Sequence, residues 1–249
     1  MVSRSSNFFL IFVFCVITPA FAQSAPLFSS LTSAAAESNL YRSQVLSGAT
    51  SFEAGGPGPF EIFFQNEKRD FGAVLLDETT IGAAMAYKIG DKQYGEVRLM
   101  HTPGAVFLPV DRASVEHHLV NGLWDTMIVV RGAQYASPSH LIPGFSIGQR
   151  RDFEGFFLEA RIHAAQDEGW HSGVETLVGA KLTPEISVRT SFTAGEEIVD
   201  PGVFNRMHAV ASSIEWRRAK GLMLQAGYIT LWGERRFETG LFGGGGWSW

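Results

Sequence analysis

Residues 156–164 read Phe-Phe-Leu-Glu-Ala-Arg-Ile-His-Ala, and their two alternating sets differ in kind. Phe156, Leu158, Ala160, Ile162 and Ala164 are apolar, whereas Phe157, Glu159, Arg161 and His163 carry the polar groups. A β-strand sends successive side chains to opposite faces, so this stretch presents one face suited to lipid and one suited to a polar interior.

The same rule recurs outward along the chain. Ile81, Ala83, Met85, Tyr87 and Ile89 alternate with Gly82, Ala84, Ala86 and Lys88; Val210, Ser212, Ile214 and Trp216 alternate with Ala211, Ser213, Glu215 and Arg217. Helical periodicity is hard to find, with Ser29–Ser38 the one candidate exception. Turn signals cut the rest into about 14 strands, starting near Arg42, Pro59, Asp70, Thr79, Gln93, Val110, Leu123, Ser139, Phe153, His171, Glu185, Met207, Leu222 and Arg236. A bulge within Phe71–Ile89 would reduce the number to about 12. The expected fold is all-β: a transmembrane antiparallel up-and-down β-barrel of about 12–14 strands.

Connection lengths fit that expectation. Tight turns are read at Lys68-Arg69, Gly90-Asp91-Lys92, Asn121-Gly122, Arg151-Asp152, Thr183-Pro184 and Ala219-Lys220-Gly221, and long outer loops at Thr102–Pro109 and Gly195–Arg206. Tyr87, Trp124, Tyr135, Trp170, Trp216, Tyr228 and Trp232 stand where interface girdles require aromatic rings. Trp247 and Trp249 share one face of the last strand, which is expected to close the barrel and to carry its insertion signal. A soluble β-sandwich or propeller would explain alternation alone, but not these features together.

The opposite end of the chain carries an export signal. Arg4, the apolar run Phe8–Ile17 and Ala20-Phe21-Ala22 make a signal peptide over residues 1–22, followed by a flexible segment, 23–40, and the barrel, 41–249. The only cysteine, Cys15, lies in the segment to be removed, so the mature chain has no thiol chemistry. Formal net charge is −5 and no basic cluster stands out, which gives no support to a nucleic-acid partner.

If the apolar sets meet lipid, their alternates line the lumen. These are Glu96 and Arg98; Arg112, Glu116 and His118; Glu159, Arg161 and His163; Glu175 and Lys181; Arg189; and Glu215 and Arg217. Acids and bases two residues apart share a face and can pair, either as a satisfied structural network or as the lining of a path for a polar solute. His117 and His118 point to opposite faces and cannot act jointly. His163, and His208 near Ser212 and Ser213, are the residues on which a lipid-modifying enzyme would rest, but no motif assembles a catalytic triad around them. No cofactor, no catalytic residue and no metal-ligand spacing is read. Gly243–Gly246 lacks the helix and Lys-Ser/Thr of a phosphate loop and reads as a place of close backbone approach.

The order of elements from about Tyr41 to Trp249, with Phe107-Leu108-Pro109 opening a strand, Tyr135 and Pro138 at the next loop and an aromatic ending, resembles the YaiO-type outer-membrane β-barrel proteins. That resemblance implies an outer-membrane location, partners in membrane lipid and the barrel-assembly machinery, and association with exopolysaccharide or its secretion apparatus. The chain departs from the pattern in its terminal glycines and has no appended helical repeat. The expected role is a non-enzymatic channel or accessory for passage of polar solutes; a lipid-modifying enzyme or a closed structural or adhesive barrel are the alternatives.

Overall fold

A computed structural model describes residues 28–53, 58–136, 139–200, 203–218, 221–234 and 236–248. The expected signal peptide and Trp249 therefore lie outside the described residues. Fourteen strands follow one another: β1 Phe28–Ser38, β2 Arg42–Glu53, β3 Pro59–Asp70, β4 Leu75–Lys88, β5 Gln93–His101, β6 Asp111–Asn121, β7 Trp124–Ala136, β8 Ser139–Phe153, β9 Phe156–Gln166, β10 Trp170–Lys181, β11 Ile186–Asp200, β12 Val203–Arg217, β13 Leu222–Gly233 and β14 Phe237–Ser248. Each pairs antiparallel with its sequence neighbours, and β1 pairs with β14, so the sheet is a closed barrel.

Closure decides which sequences can form these strands. In hydrocarbon an unpaired backbone N–H or C=O costs several kcal/mol, and only a sheet without edges leaves none. The outer surface follows the alternation: Ile62, Phe64, Ile81, Leu99, Val115, Val130, Ile147, Leu158, Ile162, Val174, Ile214 and Leu241 are all exposed large hydrophobics. Their alternates are half-buried or buried inside.

Segmentation differs from the sequence reading in two places. Residues 28–38, expected within a flexible leader, form β1, which pairs with β2 on one side and β14 on the other. Its Ser-Ser-Leu-Thr-Ser-Ala-Ala-Ala run has almost no hydrophobic contrast, so closure of the sheet rather than local patterning specifies it. The strands expected to start at Asp70 and Thr79 are one strand, β4, preceded by the turn at 71–74. These two differences offset each other in the strand number.

Turn placement also shifts. Lys68 and Arg69 lie within β3, and Gly195–Arg206 is mostly ladder, since β11 runs to Asp200 and β12 restarts at Val203. At 15 residues each, β8, β11 and β12 exceed the roughly 9–11 residues that cross a bilayer, so their hairpins project beyond it. The connection at residues 102–110 is the longest among the described ones. It lies at the far end, opposite the near end where β1 begins and β14 finishes.

Candidate functional site

The lumen is built from every second residue of the strands. Glu96 and Arg98 on β5, Arg112, Glu116 and His118 on β6, Glu159, Arg161 and His163 on β9, Glu175 and Lys181 on β10, Arg189 on β11, and Glu215 and Arg217 on β12 all occupy the face opposite the exposed apolar set. Two-residue spacing on a strand brings an acid and a base side by side. Arg98 Nε donates to Glu96 Oε1 at 2.8 Å and Arg217 Nη2 to Glu215 Oε1 at 3.0 Å. Arg161 pairs with Glu159, Arg69 with Glu67 and Arg236 with Glu238 in the same way.

These pairs occupy two environments. In the near half, Glu96 and Glu116 keep 26% and 38% of their side-chain surface accessible, and Arg217 keeps 37%. Around them His118 stands between carboxylates, with Nε2 2.7 Å from Glu116 Oε1 and Nδ1 2.9 Å from Asp125 Oδ2. Tyr94 stacks on the His118 ring at 4.4 Å and donates its hydroxyl to Asp125 at 2.7 Å. A lumen wall that remains wet here can exchange hydrogen bonds with a solute.

The far half is closed. Glu67 and Arg69 retain 0% and 1% of their side-chain surface. Arg69 lies over the Phe107 ring at 4.2 Å and over Tyr41 at 5.5 Å, a distance Arg236 matches on Tyr41. Tyr41 donates to Glu238 at 2.9 Å, and burial holds its phenol well above the usual value, so it stays a neutral donor. Beneath this layer Met207, Ala209 and Leu231 form one apolar cluster and Ala133, Tyr135 and Ile142 another.

Residues 102–110 complete the closure by turning inward. Phe107 and Leu108, expected to open a strand, are buried in the loop ahead of β6 and pack on Leu76. The Glu78 carboxylate holds them: it accepts the backbone N–H groups of Val106, of Phe107 at 2.9 Å and of Leu108 at 2.9 Å. Thr80 and Thr102 join hydroxyls at 2.8 Å at the loop's root, where Arg112 donates to Thr80 at 3.2 Å. Sequence reading missed Glu78, Glu67, Arg69, Arg236 and Glu238; the Glu-x-Arg and Arg-x-Glu spacings were the available signal for the last four.

Histidines fall into separate settings. His163 meets Ser146 across the β8–β9 ladder, with Nδ1 2.8 Å from Oγ, and its Nε2 is 3.5 Å from Glu175 Oε2 on β10. Nucleophile, base and acid types are thus brought together, which the sequence reading did not expect. Ser146 is nevertheless only 3% exposed, and both flanks of β8 are paired, so its neighbouring N–H groups are committed to the ladder instead of facing an oxyanion. The trio ties three strands together. His208 points to the outer surface and stacks between Phe192 and Trp232 at 6.2 and 6.1 Å, away from the lumen and from His163. Among the described residues no group of three or more His, Cys, Asp and Glu has metal-binding geometry.

The aromatic placements are mixed. Trp124, Trp170, Trp232 and Trp247 are exposed on the outer face, and Trp247 stands on closing strand β14 opposite Ser29 at the near end. Tyr135, expected in a girdle, points inward and is buried because β7 turns its odd positions to the lumen. Tyr228 is outward but in mid-strand. The terminal glycines have a packing reason: a Cβ at Gly246 would overlap the Phe28 ring, one at Gly244 the Thr32 side chain, and one at Gly240 would lie 2.8 Å from Ala36 Cβ.

No protein-family description and no curated protein matches the sequence. Solved structures do resemble it. The CymD monoaromatic hydrocarbon channel superposes with a TM-score of 0.64 at 7% identity, over 92% of this chain and 89% of that one. The toluene transporter TodX of Pseudomonas putida gives 0.57 at 9% identity, over 100% and 96%. The outer membrane protein Omp33 of Acinetobacter baumannii gives 0.55 at 12%, over 91% and 100%. At these identities the likeness is one of fold: the closed fourteen-stranded sheet with its apolar outer surface is the fold of bacterial outer-membrane β-barrels.

Proposed function

We propose that this protein is a passive, non-enzymatic conduit for polar solutes across the outer membrane, with envelope polysaccharide as the preferred class. The observation that carries this reading is the contrast inside the barrel: a wet, mixed-charge near half ends against a far half sealed by one inward loop. Barrels of about 8 strands are filled by their own side chains, whereas fourteen leave an interior wide enough for a path once the loop moves. Mixed charges and hydroxyls suit a hydroxylated solute better than a strongly charged ion. The resemblance to YaiO-type barrels supports the polysaccharide preference. On this reading residues 1–22 direct export, the barrel-assembly machinery inserts the chain, and Trp247 and Trp249 serve insertion and closure.

Planar-bilayer recording and liposome swelling test it. Wild-type protein should show small or intermittent conductance, and replacing residues 103–109 by a short turn should give a steady, larger conductance with permeation of neutral oligosaccharides. Folding of both proteins is checked by heat-modifiable electrophoretic migration. Absence of conductance and sugar permeation from both folded proteins removes the conduit.

A further inference from the structure

Six inward arginines, Arg69, Arg98, Arg150, Arg161, Arg217 and Arg236, each hold a carboxylate. Arg189 and Lys181 are different: the side chain of neither makes a hydrogen bond or an ion pair with any described residue. They stand close together in the near half. Lys181 is opposite Ser187 and Gly179 opposite Arg189 across β10–β11, while Arg189 is opposite Ser213 and Ser187 opposite Glu215 across β11–β12. Glu215, the carboxylate within this patch, is held by Arg217 at 3.0 Å.

The surroundings of the two cations are suited to a hydroxylated molecule. Ser187, Ser191 and Ser213 share the inward face with Arg189. Gly179 has no Cβ, and the Phe157 ring fills that place. The Arg150 guanidinium stacks on that ring, 3.9 Å from its centroid, so this stretch of wall beside Arg189 is covered. A guanidinium without a protein acid offers a carboxylate two parallel hydrogen bonds, and an ammonium beside it adds a point charge. Serine hydroxyls both donate and accept, as sugar hydroxyls require.

We infer that Arg189 and Lys181 form a binding site for an acidic saccharide, with the carboxylate on the two cations and the hydroxyls on Ser187, Ser191 and Ser213. The inference rests on the conduit reading for its purpose, since it names the class of solute that the near half receives. Its geometry stands independently of whether the far end opens.

Titration calorimetry on the folded full-length barrel in detergent decides it, with a glucuronate trimer, a glucose trimer and acetate as probes. The glucuronate trimer should bind at least about tenfold more tightly than either of the others. Arg189→Gln with Lys181→Gln should bring it down to the level of the glucose trimer, whereas Arg189→Lys should keep part of the preference. Equal binding of the two trimers, no binding of any probe, or an unchanged preference in the double variant overturns the site. Should the double variant fail to fold, a salt titration of the wild type decides: affinity for the glucuronate trimer must fall as salt rises, and a salt-independent affinity overturns the site. Binding without conductance in the bilayer experiment defeats the conduit alone; conductance without acid preference defeats the site alone.

Discussion

The far and near halves of this lumen use the same device to different ends. In both, an acid and an arginine two residues apart on one strand pair on the inward face. In the far half the Glu67–Arg69 pair is cut off from solvent, covered by Phe107 and Tyr41 and locked by Glu78; in the near half the Glu96–Arg98 and Glu215–Arg217 pairs remain in contact with water. A buried ion pair is costly to break and a wet one is not, because water replaces a lost partner only where it can reach. The far half is therefore a rigid seal and the near half an adjustable surface.

The strongest challenge to that contrast is a matched pair of deletions. Arg69→Ala leaves the Glu67 carboxylate buried without its partner and should cost about 3–5 kcal/mol in urea unfolding of the folded barrel. Arg217→Ala, at the wet end, should cost at most about 1 kcal/mol. Equal losses would show that the two halves are solvated alike. Between these lies Glu78→Gln, which weakens three bonds to the loop backbone without emptying the space. It should cost about 1–3 kcal/mol and raise the frequency of open events in single-channel recording. Unchanged gating would mean that the loop is held by Phe107 and Leu108 packing instead. An effect of the same order as that of Glu78→Gln is expected at one position of the small-residue wall and almost none at its neighbour. Gly243, whose side faces outward with only the Gln225 carbonyl at 3.5 Å, should accept alanine with little loss, while alanine at Gly244 meets Thr32 and should lower stability by about 1–3 kcal/mol.

Much of this arrangement was legible in the chain. The alternation of residues 156–164 assigns Glu159, Arg161 and His163 to one face and Leu158 and Ile162 to the other, and the structure places them so. Glu-x-Arg spacing foretells pairing, because period two on a strand puts both side chains on one side. The first strand was not legible: Ser and Ala carry too little contrast to mark a face, and β1 exists because β14 and β2 would otherwise have bare edges. Nor were the meetings between strands. Glu78 lies about thirty residues from the N–H groups it holds, and Ser146 reaches His163 only through the β8–β9 register.

By itself the sequence determined a two-faced strand repeated around a closed sheet, and with it which side chains meet lipid and which turn inward, because that choice depends only on the two-residue period. Register, closure and the path of the 102–110 loop were decided by the tertiary structure. They determine which inward groups touch, and hence where the lumen is sealed, where it stays wet and which two cations are left for a solute. Those meetings depend on the alignment of neighbouring strands, and a shift of one residue would turn every pair to the other face.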